Sequence, residues 1–439
     1  MNARFIVGAG ALASCASLVA CSVVLGFEPL RLDPARGSEA GTSIEDGGNG
    51  TDATHEDGSV SSDAAAPCTA DVQTDPKNCG RCGHDCGGGA CQARVCQAVK
   101  VAGGLGIPEG IAVDANFIFV AEYDTNRILR FEKATVPSVC SSAPTPSQCI
   151  FTEDQANVFK PTAMAADGTN VYWTNTGGGF THEIRSCPRA GCGGSGAVVV
   201  ASLQTEAFGH IFGDELLPLE LVVKNGRIFW PENESGAIRS ALIDGGAQTT
   251  YLENGSFAPV AIAVDDANVY FTDDTNQHPT QIQAVPLDGT ARDGGAVKVL
   301  ASTPARPFGL ALAMTGTLYW SVLRVNGVGD GLVQSAPKSG LPDAGSPVGA
   351  LASNQIEPTS VMVDDTNVYW VQAGSGNAAT GMVVYCPFTG CPSEGPIVLA
   401  KQQNQPRHLA QDENAIYWSN EGLSTAVTYD GEVWKIAKP

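Results

Sequence analysis

From Pro108 onward, apolar and polar positions follow one recurring pattern. A proline opens an apolar run that usually ends in Asp, a turn of three or four residues follows, and a second apolar run usually ends in Tyr-Trp. Seven copies begin PEGIAVDANFIFV (Pro108), PTAMAADGTNVYW (Pro161), PLELVVKNGRIFW (Pro218), PVAIAVDDANVYF (Pro259), PFGLALAMTGTLYW (Pro307), PTSVMVDDTNVYW (Pro358) and PRHLAQDENAIYW (Pro406), at spacings of 41 to 57 residues. Two-residue alternation within each run predicts strands. The spacing is that of a four-stranded propeller blade. Repeat 2 displays all four strands: MAAD (A), VYWT (B), EIRSC (C) and AVVVAS (D). Repeat 7 holds only HLAQD, AIYWS and GEVWKIA before Pro439, and the segment QAVKVAG (residues 97–103) matches the missing fourth strand. The expected fold is therefore all-β, a seven-bladed propeller over residues 97–439 closed by residues 97–103. The strand count disfavours six or eight blades.

Repeat 1, PEGIAVDANFIFVAEYDTNRILRF, resembles an NHL repeat, and Val171-Tyr172-Trp173-Thr174 with its equivalents resembles the YWTD repeat of receptor propellers. The resemblance implies the fold. Such propellers bind proteins, RNA or sugars, or hydrolyse lactones, so it does not choose a function. The Tyr-Trp pairs themselves are expected to pack between blades.

The N-terminus reads as an export signal. Arg4 precedes an uncharged apolar run from Phe5 to Ala20, and Leu18-Val19-Ala20-Cys21 resembles the lipobox of bacterial lipoproteins. That resemblance makes residues 1–21 a lipoprotein signal, implying that Cys21 is acylated and becomes the new N-terminus, and Ser22 after it is compatible with outer-membrane sorting. An uncleaved anchor, since apolar residues continue to Phe27, and ordinary secretion are the competing readings. Residues 22–67 are an acidic tether: Asp33 to Pro67 is rich in Gly, Ser, Ala, Thr and acid, with too little apolar surface to offset its chain entropy.

Twelve cysteines lie beyond the signal, an even number in an exported chain. Six of them, Cys68, Cys79, Cys82, Cys86, Cys91 and Cys96, form a compact module over residues 68–96. The stretch TDPKNCGRCGHDC resembles the cysteine-rich module of the stigma-specific-protein family, which implies a small disulfide-stapled unit without catalytic residues. Pairing is open from sequence. Zinc held by Cys79, Cys82, His84 and Cys86 is the competing reading. The remaining cysteines form local pairs: Cys187–Cys192 and Cys386–Cys391 share the form CPxxGC at the turn after a third strand, and Cys140–Cys149 occupies the matching place in repeat 1.

The formal charge is −21, with −16 on residues 101–439. This opposes nucleic acid and anionic lipid as partners of the folded surface, leaving the lipid anchor as the membrane attachment. Strand B ends on the face where strand A begins, so residues two past each aromatic pair are candidates for the channel mouth: Glu122, Asn175, Glu232, Asp273, Gln372 and Asn420, with Val322 in repeat 5. Such oxygen donors could coordinate Ca²⁺ or hydrogen-bond a sugar or peptide. In fold, the chain is similar to gluconolactonase and regucalcin propellers, which surround a divalent metal with Glu, Asn and Asp. No position-by-position match carries a catalytic role over, and no resident cofactor is expected. Phe208, His210 and Phe212 lie in a long loop suited to recognition. His408, at the start of strand A in repeat 7, is the histidine nearest the channel in this reading, and a structural role is the expectation for it. Standard enzyme motifs are missing. The expected function is a binding module for an envelope protein or polysaccharide. The alternative is a metal-dependent lactonase, hydrolase or lyase using the channel-mouth carboxylates.

Overall fold

The computed structural model describes residues 70–135, 149–153, 158–175, 182–193, 196–203, 220–275, 280–324, 329–343, 346, 348–375, 378–422 and 430–439. The signal with Cys21, the tether, Cys68, Cys140, Phe208, His210 and Phe212 lie outside these residues.

Seven four-stranded antiparallel sheets follow one another along the chain. Blade 1 runs through Pro108–Val113 (A), Phe117–Glu122 (B), Arg127–Glu132 (C) and Ile150–Thr152 (D). The inner strands of successive blades pack against one another all the way round, including Pro406–Gln411 of blade 7 against Pro108–Val113 of blade 1. Blade 7 takes its fourth strand from Val99–Leu105, paired with Gly431–Ala437. That strand starts and ends two residues later than the sequence pattern suggests, because Gly104-Leu105 continues pairing to Gly431.

The core lies between blades. Trp173, Trp230, Trp320, Trp370 and Trp418 are all buried. Burial of such a ring contributes on the order of 2–3 kcal/mol. The Asp that closes strand A has a specific task at the lower face. In blades 2, 4, 6 and 7 its Oδ1 accepts two N–H groups of the A–B turn, and its Oδ2 accepts the Tyr hydroxyl of strand B at 2.7–2.8 Å (Tyr172–Asp167, Tyr270–Asp265, Tyr369–Asp364, Tyr417–Asp412). In these four blades the tyrosine of the strand B aromatic pair is thus a turn anchor.

Strand A carries a bulge just after its proline in blades 1, 2, 4, 5, 6 and 7. A hydroxyl following the aromatic pair stitches it. Thr272 accepts the Ala261 N–H at 2.9 Å and donates to the Phe308 carbonyl of blade 5. Ser321 accepts the Gly309 N–H at 2.9 Å and donates to the Thr359 carbonyl of blade 6 at 2.6 Å. At the bulge the inner strands approach so closely that a Cβ on Gly309 would sit 2.5 Å from the Thr359 oxygen, and one on Gly110 2.0 Å from the Thr162 oxygen.

Every cysteine among the described residues is disulfide-bonded. The module contains Cys79–Cys91 and Cys86–Cys96, and the blades contain Cys187–Cys192 and Cys386–Cys391 at their C–D turns. The Sγ atoms of Cys79, Cys86 and Cys96 lie within 4.8 Å of one another, but this is two disulfides in contact and not a zinc site. His84, the other ligand in the zinc reading, lies between two backbone carbonyls, with Nδ1 2.6 Å from Cys79 O and Nε2 2.7 Å from Lys438 O. It ties the module to the end of blade 7.

Candidate functional site at the seam of blades 7 and 1

The six residues expected at the channel mouth are all buried, and each is bonded within its own blade or to the loop entering it. Glu122 accepts the Gly106 N–H through Oε1 at 2.8 Å. Its Oε2 accepts Thr125 Oγ1 and Arg127 Nε, with a second guanidinium nitrogen at 2.6 Å. Glu232 accepts from Trp230, Ser235 and Arg239. Asp273 accepts the Ala258 N–H, Asn175 the Phe159 N–H, and Gln372 the Ile356 N–H. Asn420 donates to Gln403 at 2.9 Å, an acceptor it shares with Trp418. All but Glu232 thereby brace the segment that delivers the chain to strand A. With arginine already on Glu122 and Glu232, their carboxylates do not fit a resident Ca²⁺. Among the described residues no carboxylates or imidazoles form a three-membered group with ligating atoms within 4.8 Å.

The bulge brings forward a different set. Residues one and two after the strand A proline lie at the same end of the ring, on the innermost strand. In blade 1 the first of these is Glu109, and in blade 7 they are Arg407 and His408. Glu109 is 1 % exposed and its Oε1 has no hydrogen-bond partner. His408 Nε2 is likewise buried and unpartnered, and lies 3.9 Å from Glu109 Oε2 across the seam. An unanswered buried polar atom costs about 1–3 kcal/mol. Nine such atoms occur among the described residues, and these two face each other at one seam, which makes it the candidate site.

Electrostatics follow from the burial. Loss of water pushes the Glu109 carboxyl well above the usual range, and nearby Glu421 adds to the shift while Arg407 opposes it. Arg407 donates to Glu421 at 2.8 Å, so its charge is largely used there. Burial moves His408 the other way, down to about 3, with Arg407 contributing. Burial thus favours the neutral form of both groups at the seam. Glu220, two residues after Pro218 in blade 3, is a third such group. Burial raises it to about 8, although it accepts the Ile262 N–H of the next blade.

At the lower face a cavity of about 1090 Å³ separates the module from the A–B turns of blades 5 to 7. Its walls include Asp364 and Asp412, which are turn anchors bonded to tyrosine hydroxyls. One unanswered atom, Gln411 Oε1, also lies in this wall, whereas the upper seam has two that face each other.

No protein-family model matches the chain, and no curated protein matches it by sequence. Solved structures do match in fold. Virginiamycin B lyase from Staphylococcus aureus aligns at 15% identity with a TM-score of 0.50, covering 78% of this chain and 98% of the lyase. A catalytically inactive histidine-to-alanine variant of that lyase, solved with quinupristin, aligns at 13% identity with a TM-score of 0.50, covering 78% of this chain and 99% of the variant. At these identities the likeness establishes a shared propeller architecture.

Proposed function

We propose that this protein is an exported, lipid-anchored binding propeller whose upper face receives an envelope protein or polysaccharide and places a polar group of it at Glu109 and His408. The observation that carries this reading is the pair of buried, unpartnered polar atoms at the seam of blades 7 and 1. Supporting export, all described cysteines are oxidised, as expected outside the cytoplasm. Anchoring through Cys21, with the acidic tether as spacer and the outer membrane as destination, rests on the sequence motif. The test is thermal shift of the full chain with a panel of envelope oligosaccharides and peptides, for the wild type and for Glu109→Gln/His408→Leu. A ligand that raises the wild-type midpoint should lose its effect in the double variant. A ligand retained undiminished by the double variant would place the binding face elsewhere.

A second reading is acid–base catalysis by the same pair. Two titratable groups driven in opposite directions by their surroundings are what a general acid and base require, and the fold is shared with a lyase that a histidine-to-alanine change inactivates. Incubation with lactones and cyclic esters, followed by mass spectrometry, tests it. Ring opening with gain of water means hydrolysis, ring opening at unchanged mass means elimination, and unaltered substrates remove the reading.

A further inference from the structure

The seam pair also constrains the chemistry of its ligand, and this step rests on the binding reading above. Glu109 Oε1 and His408 Nε2 are both buried, both unpartnered and carried on adjacent inner strands, with Glu109 Oε2 3.9 Å from the imidazole nitrogen. A carboxylate oxygen accepts, and so does the imidazole Nε2 in the tautomer that carries its proton on Nδ1. The cations nearby are already engaged: Arg407 on Glu421, Arg127 on Glu122, and Lys160 of blade 2 over the Tyr123 ring. From residue 101 onward the chain carries −16.

From this arrangement we infer that the seam binds the primary ammonium group of a ligand, with Glu109 as counter-ion and His408 as second acceptor. An ammonium supplies three donors and one positive charge, answering both orphan atoms at once. A ligand carbonyl could take only the proton of a neutral Glu109 and would leave the imidazole nitrogen unanswered. Glu421, which disfavours ionised Glu109 in the empty site, would favour a cation there. A bound cation favours the ionised form of Glu109, so binding shifts the carboxyl towards carboxylate and the displaced proton leaves to solvent. The charges that act on Glu109 are Glu421 and Arg407 of blade 7, with His408 facing it across the seam; Glu122 of its own blade and Lys160 and Glu183 of blade 2 lie at the same end of the ring.

The same ammonium chemistry occurs in a lysine side chain and in an unacetylated amino sugar. Isothermal titration of the full chain would compare Nα-acetyl-lysine methylamide with the norleucine equivalent, and glucosamine with N-acetylglucosamine, in two buffers of different ionisation enthalpy. One amine of the two pairs should bind about tenfold or more tighter than its neutral partner. Its heat should depend on the buffer through release of up to about one proton. Glu109→Gln should abolish the preference and the proton release, and His408→Leu should weaken the amine while retaining the release. Which amine binds identifies the source. Equal binding of amine and neutral partner, absence of amine binding, or binding without proton release overturns the inference. A neutral ligand that binds and is lost in the double variant would overturn it while leaving the seam itself as the binding site.

Discussion

The hydroxyl of Ser419 on blade 7 donates to the carbonyl oxygen of Glu109 on blade 1 at 3.3 Å. The stitch that joins neighbouring blades elsewhere here also fixes the backbone of the residue whose carboxyl is unanswered. Scaffold and candidate site meet in one residue. Ser419→Ala should therefore leave a buried carbonyl without its partner and cost about 1–3 kcal/mol. Ser419→Thr should retain most of the stability. Chemical denaturation of the three proteins checks this, and an Ala variant as stable as wild type would remove the stitch from the account.

The pH profile has a predictable sign. Folded Glu220 titrates near 8 against 4.5 for the unfolded chain, so the native state keeps a proton the unfolded state has released between those values. Its contribution is complete below about pH 4.5 and is lost as pH rises through about 8. Glu109 acts in the same direction. His408 acts oppositely: its contribution is complete above 6.5 and is lost as pH falls through about 3. The thermal midpoint should decline from pH 6.5 toward pH 8, and Glu220→Gln should flatten that decline. An unchanged slope in the variant would mean that Glu220 is not the group responsible.

Removing the imidazole of His84 should loosen the cysteine module without disturbing the ring. In His84→Ala the contacts to Cys79 O and Lys438 O are lost, while Cys79–Cys91 and Cys86–Cys96 remain. Hydrogen exchange should quicken in residues 79–96 and at 436–439, with blades 2 to 5 unaffected. Protection unchanged in both segments would show that His84 is not what holds them together.

Glu232 has the environment of a structural carboxylate. Its Oε2 lies 3.1 Å from Arg239, which also reaches Glu253 at 2.9 Å. Glu232→Ala should leave Arg239 buried with a reduced counter-charge and destabilise by about 3 kcal/mol or more. Calcium or chelator should leave the wild-type midpoint in place. A calcium-dependent rise that Glu232→Ala abolishes would restore the metal reading.

The ring was legible because its evidence is periodic. Proline, Asp and Tyr-Trp recur where strand A starts, where it ends and where strand B is buried, and seven copies reinforce one another. The stitch was hidden because it depends on a bulge, and a bulge changes which neighbours a residue meets without altering the apolar pattern. Thr174, Thr272, Ser321 and Ser419 look like ordinary strand residues until strand A is seen to shift. That shift also explains why residues two past the aromatic pair brace a loop, while those just after the proline carry the seam. A signal was present: these two positions read Glu-Gly, Thr-Ala, Leu-Glu, Val-Ala, Phe-Gly, Thr-Ser and Arg-His across the repeats. Charge intrudes there among small and apolar residues at Glu109, Glu220, Arg407 and His408. His408 was visible by position, but its partner Glu109 was not, because adjacency of the first and last blades exists only once the ring closes.

Closure also has a consequence in time. Lys100 is paired with Glu432 in the sheet of blade 7, at a separation of 332 residues. The first propeller strand to be made must wait for the last before it has a neighbour on its sheet. Until then blade 7 does not exist, the seam cannot bring Glu109 to His408, and an unpaired edge stays open. A protein built this way completes its seam in a single late event, set by the slow search for a distant partner. Its site cannot act before the whole molecule has arrived.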